Sequence, residues 1–246
     1  MLCEMPDLPR HLQLLWNEGV SKRPGRRPSL SIHEIGCAAV DIADKNGLSA
    51  VTMKEVAKSL GISAMGLYRY VDSWESLLEV MVESAATDPP LDITDPAVDW
   101  REGAHRWAHY FADGIRLHPW TLDLPNGADL APTPKALAWV DAGLRCLAGA
   151  GLSPAATLTA LLCLDGVIRG AFRQSQAAST AGRTSSRGAE YALATGALVA
   201  ERFPALVSCA TELAVANPDV LTTATLDSAI NFVLDGIEAE RARSRD

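Results

Sequence analysis

Lys54, Tyr68, Arg69 and Tyr70 fall in one short stretch, TMKEVAKSLGISAMGLYRY at 52–70, interleaved with the small residues Ala64 and Gly66. Ammonium and guanidinium groups can donate to the O6 and N7 acceptors of guanine, and phenols and hydroxyls can bond phosphate oxygens. Residues without bulk let the backbone approach a groove. The set suits nucleic-acid recognition rather than bond breaking. His105, His109 and Asp113 are the other constellation with ligand-like spacing, four residues apart on one helical face. No glutamate completes an H-E-x-x-H pattern and no third ligand is close at hand, so a solvated or satisfied face is expected, with no metal and no cofactor. The chain has no G-x-S-x-G, Walker or dinucleotide-binding loop, and no enzyme is expected.

The elements that must position these groups can be read from local signals. Val56, Ala57 and Leu60 form the apolar stripe of a short helix opening at Thr52, Gly61 makes the turn, and Ser63 is placed to cap a second helix that buries Leu67 and Val71. This is a helix-turn-helix. Ala64, Met65, Gly66, Tyr68, Arg69 and Tyr70 share its outer surface. An amphipathic helix precedes it over 31–46, with Ile32, Ile35, Ala39, Ile42 and Ala43 inward and Gly47 at its end. A connecting helix follows over 73–86, with Leu77, Leu78, Met81 and Val82 on one face.

The stretch SKRPGRRPS places Lys22, Arg23, Arg26 and Arg27 just ahead of this unit, where proline and glycine oppose helix. It reads as a flexible arm able to follow phosphates or enter a minor groove. The chain as a whole carries −8, which alone would argue against nucleic acid. Residues 20–71, however, hold eight basic side chains against four acidic ones, a local +4, leaving −12 on the remainder. A basic head on an acidic body orients an encounter with DNA.

The sequence LSAVTMKEVAKSLGISAMGLYRYVDSWESLLEVM resembles the DNA-binding domain of the tetracycline-repressor (TetR) family of transcriptional regulators. The resemblance rests on Gly47-Leu48, Thr52, Val56-Ala57, Leu60-Gly61, Leu67-Tyr68, Tyr70-Val71 and Leu77-Leu78. It implies that Lys54, Ala64, Met65, Gly66, Tyr68 and Arg69 meet base edges and nearby backbone, that Thr52 and Tyr70 hold phosphates, and that Arg26 and Arg27 contact DNA from the arm. One departure stands out: the family usually has a lysine where this chain has Trp74, so a phosphate contact is expected to be missing unless the indole stacks or donates.

Beyond a break at TDPPLDITDP, the spacing predicts helices over 97–117, 135–150, 154–179, 187–203 and 222–243, an all-α body. Leu14–Trp16, DWR at 99–101, HPW at 118–120, AGLS at 150–153 and FPAL at 203–206 make this body similar to one subgroup's ligand-binding and dimerisation domain. That implies a homodimer built from helices near 158–171 and 226–237. The stripes Leu161, Leu164, Ile168, Phe172 and Leu226, Ile230, Val233, Leu234, Ile237 permit it, though the same stripes serve an ordinary core. Trp107, Tyr110, Phe111, Trp120, Trp139, Cys163 and Phe172 are candidates for an apolar effector pocket.

The expected organisation is an N-terminal extension at 1–30 carrying the basic arm, a three-helix DNA-binding head with its connecting helix at 31–87, and a ligand-binding body at 95–246. No apolar run of membrane length and no signal peptide is expected, which places the protein in the cytoplasm. Five scattered cysteines without a C-x-x-C pair fit reduced thiols. The expected function is a ligand-responsive regulator, a repressor released from a palindromic operator by a small organic molecule. The alternative is a helix-turn-helix head fused to a helical catalytic or protein-interaction domain, which no residue cluster supports.

Overall fold

The computed structural model describes residues 8–16, 30–124, 130–181, 202–205 and 218–243. All regular structure among them is helical: α1 (Arg10–Trp16), α2 (Ile32–Asn46), α3 (Met53–Ser59), α4 (Ala64–Leu67), α5 (Trp74–Ala85), α6 (Trp100–Leu117), α7 (Pro134–Ala148), α8 (Pro154–Ala181) and α9 (Pro218–Arg243), with 3₁₀ turns at Leu48–Ala50, Leu91–Ile93 and Pro119–Asp123. The helix expected at 187–203 lies almost wholly outside the described residues, as does the basic arm. The chain divides into two compact units, 1–151 and 152–246.

In the first unit α2 to α5 each start on a side-chain cap. Ser31 caps α2 in a reciprocal capping box, its hydroxyl accepting from Glu34 N–H while the Glu34 carboxylate accepts from Ser31 N–H at 2.7 Å. The Ser31 N–H, and the Ser31 hydroxyl that also donates to the carboxylate at 2.9 Å, favour the charged form and hold the Glu34 carboxyl below its ordinary pKa. Thr52 accepts from Glu55 N–H, Ser63 from Gly66 N–H and Ser73 from Ser76 N–H. The turn after α3 closes on Gly61, whose φ of 68° is left-handed. Ile62 N–H donates to Ala57 O and Gly61 N–H to Lys58 O, a Schellman arrangement that satisfies two carbonyls at the helix end.

One core joins α1 to α5, built on Leu12, Leu15, Ile35, Ala39, Val56, Leu67, Val71, Leu77, Leu78 and Met81. The connecting helix is more enclosed than an amphipathic pattern predicts. Ser76 through Met81 and Glu83 are all buried, while Val82, expected on the inner face, is only half-buried. α1 was not expected as a helix, yet Leu12 and Leu15 seat it on the core.

In the second unit α8 packs along α9. Leu161, Leu164 and Ile168 face inward on α8, and Leu226, Ile230, Leu234 and Ile237 on α9. Phe172 and Val233 are half-buried. Contrary to the sequence expectation, residues 154–176 of α8 are long and apolar enough to cross a membrane, with mean hydropathy 1.5 over an 18-residue window. Only 28% of that window is buried. One side packs on α9, while Leu158 and Leu162 are exposed.

Candidate functional site

The helix-turn-helix presents α4 and the turn after it to solvent. Leu67 and Val71 are fully buried and fix the element, which leaves Lys54, Ala64, Met65, Tyr68 and Arg69 exposed, Met65 by 78%. Gly66 and Tyr70 are half-buried, and Tyr70 leans on the core. Lys58 pairs with Glu55 at 3.4 Å, whereas Lys54 and Arg69 have no ion-pair partner among the described residues. Exposed cations, a phenol and a thioether on a rigid ledge can meet base edges. Thr52 is exposed, but its hydroxyl oxygen already accepts from Glu55 N–H, so it would reach a phosphate only as a donor. Trp74, expected near a DNA backbone, is half-buried against the core. Arg26 and Arg27 lie outside the described residues.

Four of the seven pocket candidates come together on α6 and α7. The Trp107 and Phe111 rings stack at 5.1 Å with 7° between planes, and Trp139 meets them edge-on at 6.5 and 6.3 Å. Trp107 is buried and its indole donates to Trp139 O at 3.0 Å, while the Trp139 indole donates to Thr87 O at 2.8 Å. Tyr110 is exposed beside the group, its hydroxyl 3.2 Å from Asp92 Oδ2. The adjoining carboxylate raises the phenol's pKa. Arg106 bonds Glu102 at 2.8 Å, and that hydrogen bond raises the guanidinium's pKa. A cavity of about 200 Å³ lies elsewhere, beside Trp100, Gly103 and Cys146, and none of the seven candidates lines it.

Trp120 stands apart from this cluster. It is buried in the core of α1 to α5, with its indole donating to Asp44 Oδ1 at 2.8 Å. The His118 Nδ1 atom lies 2.9 Å from the same oxygen. Cys163 and Phe172 lie on α8 in the second unit, Cys163 exposed. The His105 and His109 rings lie 4.6 Å apart, and Asp113 is engaged by Arg116.

Three carboxylates bind partners far away in sequence, Glu79 and Glu83 buried and Asp44 exposed. Asp44 holds the turn at 118–120. Glu79 contacts His11 Nε2 and accepts from Ala131 N–H at 2.7 Å. Glu83 accepts from Lys135 N–H at 2.9 Å, while Lys135 Nζ donates to Glu83 O and Ala86 O. For Glu79 and Glu83 the local clue is that they fall among the core residues of α5.

Residues 37–81 match the family model for bacterial regulatory proteins of the tetR family, and residues 94–241 match the tetracyclin repressor-like C-terminal domain. The chain belongs to the TetR family. It is therefore a helix-turn-helix transcriptional regulator with a ligand-binding body. Among the relatives of this TetR-family chain, the HTH-type transcriptional repressor DrrR1 of Streptomyces coeruleorubidus is 29% identical, over 97% of this chain and 88% of that protein. Tetracycline repressor protein class E of Escherichia coli is 28% identical, over 60% and 70%. A possible TetR family transcriptional regulator from Streptomyces coelicolor A3(2) superimposes with a TM-score of 0.65 at 26% identity, covering 85% of this chain and 99% of that one. Apo ActR from the same organism gives 0.66 at 19% identity, covering 89% and 100%, a likeness of fold.

Proposed function

We propose that this TetR-family regulator is a cytoplasmic homodimer that binds a palindromic operator as a repressor and leaves it when a small organic effector occupies the body. The observation that carries the DNA reading is the exposed ledge of Lys54, Met65, Tyr68 and Arg69 on a helix-turn-helix whose core is closed beneath it. Residues 31–87 act as the head and 95–246 as the body. Lys54, Ala64, Met65, Gly66, Tyr68 and Arg69 meet bases and adjacent backbone, Thr52 and Tyr70 bond phosphates, and Arg26 and Arg27 add contacts from the arm. Two heads reading half-sites about one helical turn apart require two copies.

Trp107, Phe111, Trp139 and Tyr110 form the effector wall, a stacked ring pair met edge-on by Trp139 with a phenol at its rim. This surface suits a planar, unsaturated ligand. Cys163 and Phe172, on α8 of the second unit, stay candidate effector contacts by resemblance alone. Trp120 anchors the turn at Asp44 instead. Effector binding favours a state whose heads no longer fit adjacent major grooves.

The test is a gel shift with DNA flanking the protein's own coding region over a salt titration. A specific shift that weakens steeply with salt supports the reading. Equal binding to unrelated duplex at every salt concentration would count against a nearby operator.

A further inference from the structure

The matched family ranges begin at residue 37, so α1 lies outside both of them. Yet α1 makes a fully enclosed polar contact with α5. His11 is 3% exposed and Glu79 6%, with His11 Nε2 against Glu79 Oε2. The other carboxylate oxygen of Glu79 accepts from Ala131 N–H at 2.7 Å. One buried carboxylate thus serves two elements far apart in sequence, the N-terminal helix and the segment entering α7. Glu83, one turn further along α5, holds Lys135 N–H of the same segment.

We propose that Glu79 couples α1 to residues 130–135, so that docking of the N-terminal helix and seating of the segment that starts α7 are one cooperative event. Both donors need the same Glu79 rotamer, and whichever binds first removes the rotamer entropy the second would otherwise lose. Losing either donor leaves a buried carboxylate half satisfied, which weakens the remaining arrangement. α5 is the rigid bar between them, enclosed from Ser76 to Met81. α1 is therefore a regulatory clamp on the connecting helix, responsive to the position of the segment that starts α7. Any consequence for DNA contact by Arg26 and Arg27, which follow α1 in sequence, rests on the function proposed above; the coupling itself does not.

Hydrogen exchange on the full-length protein, read by mass spectrometry, tests it without effector or operator. Ala131→Pro removes the backbone donor to Glu79 and leaves every side chain of α1 as it is. The amides of Leu14, Leu15 and Trp16 should then exchange about tenfold faster, the scale of a lost bond to a charged group. His11→Ala should reciprocally speed exchange at Ala131 and Lys135. Amides of α3 report general loosening. Unchanged α1 rates in Ala131→Pro, or rates that rise only in step with α3, would overturn the coupling. So would unchanged Ala131 and Lys135 rates in His11→Ala, which is read independently if the proline variant does not fold. Failure of the gel shift would leave all these rates as they are.

Discussion

Arg69 and Lys54 differ from the head's other lysines in what surrounds them. Lys58 is engaged by Glu55, and Lys45 sits on α2 away from the exposed ledge, whereas Arg69 and Lys54 stand on it with no acidic partner among the described residues. Replacing Arg69 with alanine should weaken operator binding by about 1–3 kcal/mol, roughly fivefold to 150-fold, and Lys45→Ala by much less; fluorescence anisotropy with an operator duplex ranks them. Cys146 makes a different point at the same scale. Burial pushes its thiol up to about 11, so it stays neutral when an unfolded chain's thiol would ionise near 9. The unfolded state loses its proton first, so this site's contribution to stability falls as pH rises from about 9 to about 11 and is constant below. At pH 8, iodoacetamide should label exposed Cys163 and leave Cys146 untouched, as site-resolved mass spectrometry can show. Thr52, Ser63 and Ser73 were legible in the sequence because a cap and its amide lie within one turn. Asp44 and Glu79 were not, because their partners stand 74–76 and 52–68 residues away and no local pattern announces them.

Among the elements, α2 and α5 lie so close that Gly36 has no room for a side chain. An added Cβ would fall 1.9 Å from Ser84 Oγ and 2.8 Å from Val80 O, and a helix carbonyl cannot step aside as a side chain can. Gly36→Ala should therefore destabilise the protein by about 1–3 kcal/mol. Gly114, exposed within α6 with nothing within 4 Å of its Cβ position, should respond oppositely, gaining up to about 1 kcal/mol as alanine. Thermal unfolding followed by circular dichroism would show the midpoints moving in opposite directions, and a shared direction would sink the packing argument. Most helix positions were readable from periodicity, since α2 and α6 each keep one apolar face. The sequence of α5 reads as amphipathic because Leu77, Leu78, Met81 and Val82 fall in one band, but contacts on several sides bury Glu79 and Glu83 as well. α1 escaped notice because seven residues give too short a window for a periodic signal.

At the scale of the whole molecule, the exposed apolar surface of the second unit is the candidate interface of the proposed homodimer. Leu158, Leu162 and Phe232 are 46%, 62% and 76% exposed, on helices whose opposite sides already fill the α8–α9 core. A helix of this hydropathy could lie against lipid or against protein. Asp165 and Arg169, paired at 2.9 Å in the middle of α8, favour protein, since an ion pair is costly within hydrocarbon. A second copy meets the same need as a two-headed reader of a palindrome, and the glycines at 166, 170 and 236, with open space around their Cβ positions, let helices approach closely. Replacing Leu162 and Phe232 together with glutamate should halve the sedimenting mass from twice 26.2 kDa to that of one chain while leaving the helical circular dichroism intact. Operator affinity should then fall by orders of magnitude, because each half-site would be bound without the effective concentration its neighbour supplies. If the variant stays dimeric, the interface lies elsewhere. If it is monomeric yet binds the full operator undiminished, two heads are not needed and the palindrome reading fails with it.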